Sequence, residues 1–260
     1  MSPRLGFLIG GAQKGGTTAL ARYLSLHPGL ALPTAKEAHV FDAVDFDERW
    51  AAEDVDARFA PRFDDWPCGG RLLGDATPIT MFHPHLVARV ARYNSSMRWV
   101  VLLRDPVERA ISHYFMEKAR GLERLPLLLA VAREGHRLRG HGNDWSERSP
   151  LRVATYAARG RYAGQLDTLF AAFPADQVLL LRSKDLAADP GAVVARVLDF
   201  LGLEPLPPGA VYPPVFEGAY ARPPAWSPGR LLLRATLRGE VARLRFRFGI
   251  DLDGAAHPPD

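Results

Sequence analysis

Gly10-Gly11-Ala12-Gln13-Lys14-Gly15-Gly16-Thr17-Thr18 is the stretch on which the reading of this 260-residue chain turns. An apolar run, Leu5 to Ile9, leads into it, and an amphipathic run, Ala19 to Leu26, leads out. That order predicts a strand, a glycine-rich turn and a helix. Glycines let backbone N–H groups close around an anion, and the helix N-terminus adds its positive partial charge. Lys14 supplies a full charge, and Thr17 and Thr18 supply hydroxyl donors. A turn that merely needs small residues is the plainer alternative, but a lysine and two threonines beside four glycines favour a phosphate cradle.

The spacing separates this loop from that of a nucleotide triphosphatase. Gly10 and Gly15 stand at the right separation, but Gly16 follows where that motif needs lysine. The lysine comes earlier, as Lys14, inside the turn. Read from Gly11, the order Gly-x-x-Lys-Gly-Gly-Thr-Thr resembles the 5′-phosphosulfate loop of sulfotransferases that use 3′-phosphoadenosine 5′-phosphosulfate (PAPS). It is most similar to the heparan sulfate sulfotransferases and their bacterial relatives. The resemblance implies a P-loop-like α/β fold and PAPS as sulfuryl donor. It also implies adenosine 3′,5′-bisphosphate as product, and no metal.

The rest of the chain agrees with an α/β plan. Buried-type strands are predicted at Arg98 to Leu103 and Gln177 to Arg182, with shorter ones at Leu30 to Leu32 and Arg71 to Asp75. Helices are predicted over Pro84–Tyr93, Val107 to about Arg120, Tyr156–Phe173, Pro190–Leu201 and Arg230–Phe248. Helical spacing also marks Phe46 to Phe63, and Glu134 to Pro150 reads as a mobile polar loop. Strands alternating with helices imply a mainly parallel central sheet covered on both faces, here as one domain spanning residues 1–260.

Composition narrows the class. Hydrophobic residues make up 47%, enough for a sizeable core, and the net charge of +4 suits an anionic ligand without arguing for nucleic acid. The one cysteine, Cys68, excludes an internal disulfide framework and a Cys-rich metal site. The first strand begins within a few residues of the N-terminus, leaving no room for a signal peptide, and no apolar run approaches the roughly 20 residues of a membrane span. The expectation is a soluble, cytoplasmic protein.

A second constellation is Val101-Leu102-Leu103-Arg104-Asp105-Pro106, continuing to Arg109-Ala110-Ile111-Ser112. An arginine at the end of a buried strand lies where open α/β sheets bind ligands, and its planar fork can take two phosphate oxygens. Pairing of Arg104 with Asp105 or Glu108 at a helix start is the alternative. Arg104 and Ser112 match the family's 3′-phosphate motif, and a donor phosphorylated at both ends needs two anion sites.

The third is Lys36-Glu37-Ala38-His39-Val40-Phe41-Asp42. Sulfuryl transfer removes a proton from the acceptor, so a positioned base is expected. If the segment is extended, Glu37 and His39 share one face. In the heparan sulfate enzymes the matching glutamate is the base, with the histidine and aspartate beside it. In other sulfotransferase branches a histidine does this work, so the two roles are exchangeable here. Lys14 is the natural group to meet the bridging oxygen of the donor.

Other matches are looser. The resemblance implies a basic Gly-Arg loop closing on the nucleotide, which Gly229 and Arg230 supply in this chain, with Phe216 or Trp226 near the adenine. Tyr162 fits either a ligand contact or a core tyrosine. Asp75-Ala76-Thr77-Pro78 stands where the heparan sulfate enzymes have Glu-Lys-Thr-Pro; the missing lysine makes a highly anionic acceptor doubtful. The acceptor is expected to be a hydroxyl, less readily an amine, of a small molecule, lipid or glycoside. A small-molecule or nucleotide kinase is the competing enzyme reading. A non-catalytic nucleotide-binding module is the third.

Overall fold

The computed structural model describes residues 4–66, 68–215 and 220–253. In chain order its strands and helices are β1 (Phe7–Gly11), α1 (Thr17–Leu24), β2 (Leu30–Ala31), α2 (Ala52–Phe59), β3 (Leu72–Asp75), α3 (Pro84–Tyr93) and β4 (Arg98–Leu103). There follow α4 (Pro106–Ala119), α5 (Leu127–Ala132), α6 (Glu134–Arg137), α7 (Pro150–Val153) and α8 (Tyr162–Ala172). The remainder are β5 (Val178–Arg182), α9 (Ser183–Ala188), α10 (Pro190–Leu201), α11 (Pro228–Thr236) and α12 (Glu240–Phe248). The described chain gathers into two compact units, one drawn from residues 4–103 and 165–215, the other from 104–164 and 220–253.

The first unit holds the sheet. Its strands run in the order β2-β3-β1-β4-β5, every pairing parallel. Parallel strands are buried on both faces, which is why β1 and β4 read as unbroken apolar runs. The chain leaves β1 toward β3 and β2 but leaves β4 toward β5, so the switch point lies between β1 and β4. Open α/β sheets bind ligands beyond the strand ends there. Leu20 and Leu24 of α1 and Val193, Val197 and Leu201 of α10 pack with Phe7, Ile9, Val100 and Leu102 of the sheet in one core. Each such buried side chain contributes roughly 1.5–3 kcal/mol. Helix α10 has the ends its sequence announces: Asp189 accepts the Ala192 N–H at 2.9 Å, Pro190 opens the first turn, and Gly202 closes at φ 72°.

The second unit is helical and builds its own core from Val107, Ile111 and Tyr114 of α4, Ala130 and Val131 of α5, Tyr156, and Leu233 and Leu237 at the end of α11. Gly229 permits a close approach, because a Cβ there would stand 2.7 Å from Leu127 Cγ and 2.9 Å from the Leu128 backbone nitrogen.

Several boundaries differ from expectation for identifiable reasons. The α-helix expected over Tyr156–Phe173 begins only at Tyr162; before it the N–H groups of Ala157 and Ala158 donate to the Glu134 carboxylate at 2.7 and 2.8 Å, and Ala158–Gly160 form a separate 3₁₀ turn. The same bonds pin the stretch expected to be a mobile loop over Glu134–Pro150: Glu134, Trp145 and Ser149 are buried, and Glu134–Arg137 is helical. The basic helix expected over Arg230–Phe248 is two helices, parted where Gly239 takes φ 77°. Of Phe46–Phe63, Ala52–Phe59 is α-helical and Ala60–Arg62 a single 3₁₀ turn. Helices α5 and α9 fell between the expected elements. Among the described residues no helix is long and apolar enough to cross a membrane.

Candidate active site

The glycine loop follows β1 at the switch point. The Ala12 N–H donates to the Leu102 carbonyl at 2.8 Å, tying the loop to β4, and the Gly15 N–H donates to the Ala12 carbonyl at 2.8 Å. Gly15 is packed so tightly that a Cβ would lie 2.6 Å from the Leu102 oxygen and 2.8 Å from the Ala12 oxygen. Gly16, at φ 99°, is the N-cap of α1 and offers no side chain to the helix N–H groups. This is the condition an anion-binding helix start requires, and it fits a donor phosphate. Thr17 is buried, Thr18 faces outward, and Lys14 is half-buried at φ 69°. The loop is braced from the start of α9 as well: the Ser183 hydroxyl donates to the Gly15 carbonyl. No sequence signal pointed to Ser183.

The Lys36–Asp42 segment belongs to the same unit and is not extended. Lys36 and His39 take φ 68° and 52°, and with Lys14 they are the non-glycine residues at positive φ among the described residues. Such conformations cost about 1–3 kcal/mol each and gather at functional sites. The bent backbone still brings Glu37 and His39 together, with His39 Nε2 3.3 Å from Glu37 Oε2. On its other side His39 Nδ1 lies 2.8 Å from Asp42 Oδ2. Lys36 Nζ lies 2.5 Å from Glu37 Oε1 and 3.4 Å from Thr17 Oγ1. The Glu37 carboxylate and the Thr17 hydroxyl are thus no more than about 6 Å apart. Lys36 was given no role of its own in the sequence reading, which singled out Glu37 and His39.

Two residues at the end of β3 hold this segment. Asp75 Oδ1 accepts the Ala38 N–H at 2.9 Å, and Thr77 Oγ1 accepts the His39 N–H at 3.4 Å. Phe41 anchors it, its ring 5.4 Å from that of Phe59 and 5.5 Å from that of Tyr93. Phe59 and Phe63 are buried in the core. Ala76 is wholly buried.

Electrostatics assign protonation states. Burial pushes the Glu37 carboxyl up, but the His39 and Lys36 partners outweigh it and hold the group below its usual value. Hydrogen bonds to Asp42 and then Glu37 raise His39 to about 10, so the ring is an imidazolium at neutral pH. Burial raises Asp75 to about 6.

In the second unit, Asp105 caps α4 by accepting the Glu108 N–H at 2.7 Å, with Pro106 in the first turn. Arg104, next in the chain after β4, is half-buried, and Ser112 is buried on the same helix. Arg109, three residues before Ser112, is wholly buried; it donates to the Tyr156 carbonyl, and burial lowers its basicity. Its charge lies on the helix face that carries Ser112. Tyr162 is wholly buried. Ser227–Arg230 is not a loop: Gly229 and Arg230 form the first turn of α11, and Arg230 is paired with Glu108. Phe216 lies outside the described residues, and Trp226 is exposed. Among the described residues no group of three or more His, Cys, Asp or Glu could hold a metal ion.

Residues 6–210 match the family described as Sulfotransferase domain. The chain belongs to that family. Heparan sulfate glucosamine 3-O-sulfotransferase 6 of Mus musculus is 33% identical over 199 residues, 76% of this chain and 52% of the relative. Heparan sulfate glucosamine 3-O-sulfotransferase 3B1 of Homo sapiens is 30% identical over 198 residues, 76% of this chain and 46% of the relative. The chain spans about half the length of the curated relatives it matches. The crystal structure of a sulfotransferase from Alicyclobacillus acidocaldarius is 30% identical with a TM-score of 0.71, covering 96% of this chain and 97% of that one. The central parallel sheet flanked by helices is the sulfotransferase fold.

Proposed function

We propose that the protein is a PAPS-dependent sulfotransferase acting on a hydroxyl of a glycoside. The observation that carries this reading is the nearness of Glu37 to the glycine loop, a carboxylate within about 6 Å of the hydroxyl of Thr17 that opens α1. When bound, PAPS supplies a sulfuryl group whose bond to the 5′-phosphate oxygen breaks as the acceptor oxygen bonds to sulfur, the electron pair leaving with adenosine 3′,5′-bisphosphate. Glu37 takes the acceptor proton, since it is ionised while His39 is already protonated. Lys14, Gly15, Gly16, Thr17 and Thr18 bind the 5′ end of the donor, and Lys14 steadies charge on the leaving oxygen. Arg104 and Ser112 bind the 3′-phosphate.

The names of the curated relatives support a glycoside acceptor. Ala76, where those enzymes carry lysine, favours one with fewer anionic groups. Gly16, in the place of a triphosphatase lysine, weighs against a kinase. Gly229 and Arg230, in the first turn of α11, remain candidates for the basic contact with the nucleotide. Glu37→Gln tests the assignment: turnover falls by roughly 10²–10⁴-fold while calorimetric affinity for adenosine 3′,5′-bisphosphate is kept. Unimpaired turnover moves the base elsewhere.

A further inference from the structure

Lys36 has no part in the roles above, yet it joins them. Its backbone turns through φ 68°, fixed by the Lys36 N–H donating to the Pro33 carbonyl and the Glu37 N–H to the Ala35 carbonyl, both at 2.8 Å. A lysine rarely takes this left-handed conformation, and here the turn places the ammonium between two partners. The ammonium touches Glu37 Oε1 on one side and the Thr17 hydroxyl on the other. The charged groups around Glu37 are Lys36 and His39, with Asp42 behind the imidazole ring.

A carboxylate tied to two cations has its lone pairs engaged and accepts a further proton poorly. In the ligand-free protein Lys36 therefore holds Glu37 back from base duty. At the loop its partner is only a neutral hydroxyl, which offers the ammonium no opposite charge. An anion of more than one negative charge seated at the start of α1 competes for the ammonium with the single charge of the Glu37 carboxylate.

Resting on the donor-binding reading above, we propose that Lys36 is a positioning residue that couples donor binding to release of Glu37. Its ammonium leaves the carboxylate for the anion at the β1–α1 loop and exposes Glu37 to the acceptor hydroxyl. The device keeps the base capped until a donor is present.

The test follows the Glu37 carboxyl by ¹³C NMR through a pH titration of the full chain, with and without saturating adenosine 3′,5′-bisphosphate, in wild type, Lys36→Met and Lys36→Arg. Without ligand, Lys36→Met is expected to titrate at higher pH than wild type, and Lys36→Arg to restore the low value. On adding the bisphosphate, wild-type Glu37 is expected to move to higher pH by more than Lys36→Met does, because only the wild type has a cation to lose. Bisphosphate that binds by calorimetry yet moves the two proteins equally overturns the coupling and leaves the donor reading standing. A wild-type Glu37 that does not move at all on binding overturns it whether or not the variants fold. No bisphosphate binding overturns both.

Discussion

Nδ1 of His39 stands 2.8 Å from Oδ2 of Asp42, a side chain with no exposed surface. The pair bears on a choice that the sequence left open. An imidazole held against a buried carboxylate, with Glu37 on its other nitrogen, favours keeping its proton. In the proposed mechanism its use is to orient Glu37.

Asp42→Asn removes the largest contribution to the raised His39 pKa, so the ring is expected to titrate well below about 10, toward 6.5. Histidine NMR reads this directly. The sign carries over to stability. A raised histidine stabilises the fold fully below 6.5 and loses that contribution as pH rises through about 10. Denaturant unfolding is therefore expected to show wild type ahead of Asp42→Asn near pH 6, with the gap closing above pH 10.

Asp75 gives a slope of the same sign in a lower pH window. Its folded value of about 6 exceeds the ordinary 3.8, so the fold keeps a proton that the unfolded chain gives up. Stability is expected to fall by about 3 kcal/mol in all as pH rises from below 4 to above 6. Asp75→Asn keeps an oxygen for the Ala38 N–H and should lose that slope, gaining on wild type above pH 6 in urea titrations.

Gly15→Ala sets a methyl group against two backbone carbonyls that cannot swing aside. The expected cost is roughly 1–3 kcal/mol of stability, with at least tenfold weaker bisphosphate binding. Thermal unfolding and calorimetry check the two separately. Equal binding would remove the loop from the donor site.

Glu134→Ala leaves the Ala157 and Ala158 N–H groups without their acceptor. It is expected to destabilise by roughly 1–3 kcal/mol for the buried Ala157 donor, with a smaller addition for the part-buried Ala158. Limited proteolysis should then cut between residues 138 and 149 sooner than in wild type.

How far the sequence carried the reading depends on whether the cause was local. The β1 loop, β4, α3 and α10 were legible because apolar period, Pro at helix starts and Gly or Asp at ends act within a few residues. Glu134 could not be read, since its partners lie more than twenty residues away and a buried carboxylate looks like loop polarity in a sequence. Gly229-Arg230 misled for the converse reason: a Gly-Arg pair suggests a phosphate loop, but Pro228 and the apolar residues after it start a helix. Glu37 and His39 were found by motif, and the geometry that joins them was not the extended one expected. The contact of Lys36 with Thr17 was hidden because it joins residues nineteen apart.

The measurement that bears most directly on the central claim is calorimetric titration with adenosine 3′,5′-bisphosphate in metal-free buffer, in parallel with ATP plus Mg²⁺. The account predicts micromolar binding of the bisphosphate without metal and little of ATP. Preference for ATP with Mg²⁺ contradicts it and favours the kinase.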